Sequence, residues 1–204
     1  MIKIEKITVG PMQANCYIVA CAETNQALVL DPGDQPEKIK SRLSSLGLKL
    51  NFIVNTHGHI DHIAANAALK VPVYIHQLDA AFLKDAQLNL SGMFGQQLDQ
   101  PAEVLTLQDG QKLKLGQLFL EVIHTPGHTP GGICLKANQA LFTGDTLFAQ
   151  SIGRCDFPYA SEQTLLDSIR QKLLKFPDEL VIYPGHGPSS TLGEERRSNP
   201  FLLL

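Results

Sequence analysis

The sequence predicts an α/β protein in which β-sheets pack face to face and helices cover them on the outside. Short strand-like segments dominate the chain, and they fall in two blocks that are each followed by a helical pattern. The 204 residues are 44% hydrophobic and 18% charged, which is typical of a folded chain rather than a disordered one. Because no linker or low-complexity segment divides the sequence, we expect a single domain over residues 1–204.

The strand pattern is clearest at the amino end, where Ile2, Ile4, Ile7 and Val9 alternate with polar residues. This alternation predicts a strand and argues against a signal peptide. The other strands are expected where β-branched or apolar residues stand between turn residues. The predicted strands cover residues 2–9, 16–20, 27–30, 52–54, 72–75, 103–107, 118–123, 132–136, 140–142 and 180–183.

Apolar residues recur at helical spacing in three segments, each with a start signal or a stop signal beside it. The predicted helices are a first one from the Asp34 and Glu37 start signal to a C-cap at Gly47, a second one from Asp61 or His62 to Leu69, and a third one between Ser161 and Pro177.

Charge and cysteine usage exclude several classes of partner. The 17 Lys and Arg against 20 Asp and Glu give a net charge of −3 and are spread along the chain, so no basic surface for nucleic acid or an anionic membrane is expected. No apolar segment approaches the roughly 20 residues of a membrane helix. The four cysteines form no C-x-x-C pair, which favours reduced thiols and a cytoplasmic protein.

Four side chains of metal-ligating type follow the apolar residues 51–55 within six positions: His57, His59, Asp61 and His62. On extended backbone His57 and His59 project to one side, whereas a helix that starts near Asp61 turns Asp61 and His62 toward a second point. One loop can therefore supply ligands to two adjacent ions. Gly58 is expected to remove a side chain where the backbone passes close to the ions.

Three further candidates stand beside glycines at the ends of predicted strands, namely His128, Asp145 and His186. Together with the cluster they make five imidazoles and two carboxylates, a mixture that suits zinc, iron or manganese better than calcium or magnesium. A single carboxylate can bridge two ions, and we expect Asp145 to do so. His76 and His124 have no place in this set, and His124 is expected to be a hydrogen-bonded strand histidine.

In this order the motifs resemble those of the metallo-β-lactamase superfamily, and the resemblance covers nearly the whole chain. It implies an αββα four-layer sandwich with metals at one edge of the paired sheets. It also implies an outer role for Asp31, which would support the histidine loop without binding metal. The ligand sets that it implies are His57, His59 and His128 for one ion, Asp61, His62 and His186 for the other, and Asp145 for both.

Residues 125–131, 151–158 and 193–200 are most similar to the short glyoxalase II-like hydrolases of this superfamily. That resemblance implies two divalent ions, zinc first with iron or manganese as alternatives, and hydrolysis of a small thioester such as S-D-lactoylglutathione. A water shared by two ions has its pKa lowered from about 15.7 toward about 7, so two bound ions would supply a hydroxide nucleophile, which Asp61 would orient. Only 18 residues follow His186, too few for the helical domain of full-length glyoxalase II, so the natural substrate stays open.

Alternatives remain at the level of function. A mononuclear iron persulfide dioxygenase would use His57, His128 and Asp145, a hydrolase of another ester or lactone would use the full set, and a metal-binding module would have no catalysis. Arg154 is a substrate contact at the mouth of the site or the partner of Asp156.

Three other features have ordinary structural interpretations. Cys155 is expected to be a packing residue rather than a nucleophile. Residues 91–95 are expected to form an apolar lid or a buried turn. The charged residues 194–197 are expected to be solvated and self-paired.

Overall fold

The computed structural model describes residues 1–203, in which strands form two large sheets and one small hairpin. The strands are β1 Ile2–Val9, β2 Ala14–Cys21, β3 Gln26–Leu30, β4 Lys49–Val54, β5 Val73–His76, β6 Val104–Leu107, β7 Lys112–Leu115, β8 Leu118–His124, β9 Ile133–Ala137, β10 Ala140–Gly144, β11 Leu147–Phe148, β12 Ser151–Ile152, β13 Val181–Pro184 and β14 Ser190–Thr191.

Helices connect or follow these strands. The α-helices are α1 Pro36–Ser45, α2 Ile60–Ile63, α3 Glu162–Ser168 and α4 Leu192–Ser198, and a π-helical turn, Ile169–Leu173, continues α3. Short 3-10 helices cover Ala67–Leu69, Gln77–Leu83 and Ser91–Phe94. Within residues 1–203, no helix has the length and apolar character that crossing a membrane requires.

The two sheets each have six strands. The first has the order β1-β2-β3-β4-β5-β6, antiparallel through β3 and parallel from β3 to β6. The second has the order β14-β13-β10-β9-β8-β7, in which β10 and β13 are parallel and the other pairs antiparallel. In both sheets, parallel neighbours bring the carboxyl ends of strands to the same edge. β8 runs in the same direction as β10, because each is antiparallel to β9, so its carboxyl end lies at that edge too. The candidate ligands follow these ends.

Alternation along the strands divides the apolar residues into three layers. In β2, Tyr17 and Val19 point into the space between the sheets, where they pack with residues such as Leu120 and Phe142 of the second sheet. Ile18 and its alternate neighbours point outward. The period of two therefore places both faces of this strand in apolar surroundings, and all eight residues of β2 are buried.

Helices cover the outer faces of both sheets. Ile39 and Leu43 of α1 pack on the first sheet, while Leu165 of α3 and Leu192 of α4 pack on the second. This arrangement is the expected αββα sandwich, and it confirms the predicted fold class.

Some local predictions were wrong. The predicted helix from Asp61 or His62 to Leu69 is broken into α2 and a 3-10 turn, because the Ala65 amide donates to Pro32 O instead of extending the helix. The first helix has Gln35 as its N-cap rather than Asp34. Met93 and Phe94 are exposed, so residues 91–95 are not a buried apolar turn.

Candidate metal centre

The seven candidate ligands meet at one edge of the sandwich, although they come from four separate loops. His57 and His59 follow β4, and the first turn of α2 then presents Asp61 and His62. The remaining three each follow a strand of the second sheet: His128 after β8, Asp145 after β10 and His186 after β13. The fold thus brings together the seven side chains that the sequence singled out.

The first group is made of His57, His59 and His128, whose ligand atoms lie within 4.8 Å of one another. All three are buried. Nδ1 of His59 and Nε2 of His128 are 2.9 Å apart and point at each other. Three imidazole nitrogens that converge in this way could hold one metal ion.

The second group is made of Asp61, His62 and His186, which also fall within the 4.8 Å limit. Nε2 of His186 lies 3.2 Å from Oδ2 of Asp61. Asp145 lies between the two groups, since its oxygens are 3.5 Å from Nε2 of His62, 3.6 Å from Nε2 of His128 and 3.7 Å from Nε2 of His186. This position suits a carboxylate that bridges two ions.

Asp31 lies behind the ligands and acts on them through Thr56. Its two oxygens accept from the amide and the hydroxyl of Thr56, each at 2.7 Å, and Oδ2 lies 3.1 Å from Nδ1 of His62. Because the Thr56 hydroxyl gives its proton to Asp31, it can only accept from Nδ1 of His57, which is 3.2 Å away. The proton of a neutral His57 ring is then on Nδ1, and Nε2, which faces the other ligands, carries a free lone pair.

Buried polar atoms without a hydrogen-bond partner show whether the residues fit a metal ion. Nε2 of His57 is buried and has no hydrogen-bond partner among residues 1–203, and the same is true of Oδ1 of Asp145. A buried acceptor without a donor costs on the order of 1–3 kcal/mol. A cation held at this point would satisfy both atoms, so the donor set fits divalent metal ions.

Electrostatics favours the ligating forms of His59 and Asp61 and favours positive charge at His62. Burial and the facing ring of His128 lower the pKa of His59 to about 2, which leaves a neutral imidazole at pH 7. Burial acts to raise the pKa of Asp61, but the neighbouring His62 and His186 outweigh it and lower that pKa, so the carboxylate is charged. Burial lowers the pKa of His62, but Asp61, Asp145 and Asp31 raise it to about 10. Positive charge is therefore favoured between these carboxylates.

A protein-family model described as the metallo-beta-lactamase superfamily matches residues 9–186. The chain belongs to this superfamily. The match spans the whole ligand set, and the family together with the His and Asp cluster implies divalent metal ions. The superfamily match thus agrees with the cluster of candidate ligands at one edge of the sandwich.

Similar proteins cover nearly the whole chain. A hydroxyacylglutathione hydrolase, GloC, of Haemophilus influenzae is 39% identical over 208 residues, 98% of this chain and 97% of its own. A probable metallo-hydrolase, YqgX, of Bacillus subtilis is 38% identical with the same coverage. Among solved metallo-β-lactamase-fold structures, the B3 metallo-beta-lactamase BLEG-1 has a TM-score of 0.90 at 36% identity, covering 99% of both chains. TTHA1623 in a di-iron-bound form has a TM-score of 0.86 at 38% identity, covering 97% and 100%.

Gly58 is needed for a different reason from the one predicted. A Cβ at this position would lie 2.2 Å from Cβ of Phe82, so the glycine permits close packing against the 3-10 helix Gln77–Leu83 rather than an approach to the ions. At Gly185 a Cβ would lie 2.2 Å from Oδ1 of Asp145. The absence of a side chain there leaves room for the Asp145 carboxylate.

Asp79 was missed by the sequence analysis. It is fully buried, and its carboxylate accepts from the Gly58 amide at 3.1 Å, the Thr129 hydroxyl at 2.7 Å and the Gly131 amide at 2.6 Å. These donors belong to the loops that carry His59 and His128, so Asp79 ties the two loops together. A lone aspartate in an unremarkable segment gives no sequence signal for this role.

The remaining candidates lie around the site. Arg154 forms a two-point ion pair with Asp156, and its carbonyl accepts from Nδ1 of His128 at 2.7 Å. Cys155 is half-buried, and burial followed by the nearby carboxylates raises the pKa of its thiol to about 11, so a thiolate nucleophile is disfavoured.

His124 ends β8, and its Nε2 lies 2.8 Å from Pro130 O. Its ring stacks on His76 with centroids 4.0 Å apart, and neither ring belongs to the ligand groups.

Proposed function

We propose that this protein is a metal-dependent hydrolase of small thioesters, with S-D-lactoylglutathione as the first substrate to test. The main support is the arrangement of two groups of ligands around the carboxylate of Asp145. Similarity to a hydroxyacylglutathione hydrolase over nearly the whole chain points to the substrate class. Two divalent ions, zinc in this proposal with iron or manganese as alternatives, would supply an activated water and a Lewis acid for the attacked carbonyl.

In this proposal the ligands divide as the superfamily resemblance implies. One ion would be held by His57, His59 and His128, and the other by Asp61, His62 and His186. Asp145 would contribute to both, and Asp31 holds the histidine loop in place through Thr56.

Asp61 is the proposed catalytic carboxylate. Its side chain is 16% exposed, more than the 0% of His62, and is therefore reachable by water at the edge of the site. A charged carboxylate accepts hydrogen bonds, so Asp61 can accept one from the attacking water and orient it. The thiolate of a thioester can leave without protonation, which removes the need for a separate general acid.

Arg154 is the proposed contact for an anionic group of the substrate. Its guanidinium is 72% exposed and lies over the ring of Phe157, with 5.1 Å from Cζ to the centroid. Its carbonyl is bonded to His128, so the side chain extends from the rim of the metal centre. The ion pair with Asp156 is exposed and of low strength, so a substrate carboxylate can share the guanidinium.

The test is a thioester hydrolysis assay on purified protein of measured metal content, with S-D-lactoylglutathione, other thioesters, esters and lactones. We expect hydrolysis that needs metal, and a loss of at least 100-fold in kcat/KM in His59→Ala, corresponding to about 2.7 kcal/mol of transition-state stabilisation. Tyr74→Phe, a substitution on β5 away from the ligands, is the matched control and should retain activity.

Several results would contradict the proposal. Full activity in His59→Ala would show that the assigned site is wrong. One iron per chain, oxygen uptake with glutathione persulfide and no thioester hydrolysis would establish the dioxygenase alternative. Metal binding without turnover of any substrate would indicate a metal-binding module.

A further inference from the structure

One tyrosine outside the ligand set contacts a ligand on the side away from the other imidazoles. The hydroxyl of Tyr159 lies 2.8 Å from Nε2 of His59, whose Nδ1 faces His128. The same hydroxyl donates to the carbonyl of Leu88 at 3.0 Å. Tyr159 belongs to none of the motifs that the sequence analysis identified.

The hydrogen-bond chemistry of these atoms allows one arrangement of protons. A phenol has a single hydrogen, and the Leu88 carbonyl can only accept, so that hydrogen points to Leu88. Toward His59 the phenol oxygen is therefore the acceptor, and Nε2 of His59 must carry the proton. The neutral imidazole has only one N–H, so Nδ1 is unprotonated and its lone pair is free.

The tautomer of His128, which faces His59, follows from the same reasoning. Nδ1 of His128 is 2.7 Å from the carbonyl of Arg154, which can only accept, so Nδ1 carries the proton and Nε2 is bare. Two lone pairs, Nδ1 of His59 and Nε2 of His128, thus face each other at 2.9 Å. Between neutral rings this contact is repulsive, and a cation bound by both nitrogens turns it into an attractive one.

Backbone hydrogen bonds tie down the segments on both sides of the phenol. The amide of Ala160 donates to Phe157 O at 3.0 Å, which closes the turn around Tyr159, and the next amide, of Ser161, donates to Gly127 O at 2.8 Å. On the accepting side, the amide of Ile60 donates to Asn89 O at 2.9 Å, so the segment beside Leu88 is tied to the start of α2.

We propose that Tyr159 is a positioning residue for the metal centre: its hydroxyl holds the proton of His59 on Nε2 and thereby presents Nδ1 as the ligand atom. This inference rests on the proposed metal ligation by His59. Partners that orient a ligating histidine in this way usually contribute 10- to 100-fold to metal affinity.

The first measurement is zinc affinity. Full-length protein stripped with a chelator is titrated with Zn²⁺ in competition with a chromophoric chelator. In Tyr159→Phe, which keeps the ring and its stacking on Phe157, we expect one of the two zinc ions to bind about tenfold more weakly or worse. Tyr74→Phe also removes one phenol oxygen and should bind both ions as the parent does.

The second measurement reads the tautomer directly and separates positioning from packing. Long-range ¹H–¹⁵N spectra of the histidine rings, with the His59 signals assigned by their loss in His59→Ala, should show a proton on Nε2 alone in the stripped parent. Tyr159→Phe should show both tautomers. A variant with parent-like zinc affinity, or with the parent's single tautomer, overturns the proposal.

These outcomes are distinguishable from failure of the proposed function. A parent that binds two zinc ions and hydrolyses no thioester refutes the thioesterase proposal, while the zinc and tautomer results still decide the role of Tyr159. A parent that binds none of zinc, iron and manganese overturns both.

Discussion

At the residue scale, the loops that carry the ligands are held by side chains that are not ligands themselves. Asp79 accepts three hydrogen bonds, from the Gly58 and Gly131 amides and from the Thr129 hydroxyl. Because this carboxylate is buried, its removal leaves these donors without a partner, and each such group costs on the order of 1–3 kcal/mol.

We therefore expect Asp79→Ala to lower the free energy of unfolding by on the order of 3 kcal/mol or more. Burial raises the pKa of Asp79 to about 6 against the effect of its three donors, so urea unfolding at pH 8 measures the charged form. Asp99→Ala, at an exposed position, is the control and should change stability little. A loss below about 1 kcal/mol would mean that water or a rearranged loop replaces the carboxylate.

The same residues mark the limit of what the sequence could predict about the site. Spacing in the segment from His57 to His62 predicted a shared metal centre, since several ligand types in one loop have few other uses. Asp79 and Tyr159 act largely on backbone atoms and on one ring nitrogen. Such contacts depend on three-dimensional proximity and place no pattern in the sequence around them.

At the scale of elements, long segments with clear periodicity were predicted and short ones were not. β2 and α1 bury regular apolar faces, whereas β11, β12 and β14 have two residues each and no detectable period. α4 was missed because its charged residues were interpreted as solvated. Glu195 within it is fully buried, which corrects the prediction for residues 194–197.

Glu195 anchors α4 against the second sheet and the small hairpin. Its carboxylate accepts from the Gln150 amide at 2.8 Å, the Ser190 hydroxyl at 2.5 Å and the Asn199 side-chain amide at 2.8 Å. We expect Glu195→Ala to lower the free energy of unfolding by on the order of 3 kcal/mol, because these donors lose their acceptor.

The adjacent Glu194 provides a matched control for that measurement. Its side chain is 54% exposed, and its ion pair with Arg197 lies on the surface, so Glu194→Ala should cost less than about 1 kcal/mol in the same urea unfolding experiment. Equal effects of the two substitutions would show that the carboxylate of Glu195 is not the anchor of α4.

At the scale of the whole molecule, stability and the metal centre are largely separate. Three apolar layers form the sandwich, one between the sheets and one under each set of helices. The ligands lie at one edge, on loops that follow the strands. A fold held by these layers does not depend on ions for its hydrophobic core, in contrast to small zinc domains that unfold without metal.

We therefore expect chelation to leave the far-UV circular dichroism of the protein unchanged while it lowers Tm. An ion that binds only the folded state stabilises it by about 2.7 kcal/mol at 100 times its Kd. For a chain of this length that corresponds to roughly 5–10 °C.

Differential scanning calorimetry with and without added Zn²⁺ measures the shift in Tm, and one cooperative transition is expected for the predicted single domain. The shift should be much smaller in His59→Ala than in Tyr74→Phe, because only the first substitution removes a ligand. Loss of secondary structure on chelation would instead show that the fold itself requires the ions. A Tm that does not change when zinc is added would contradict metal ligation by the histidine cluster.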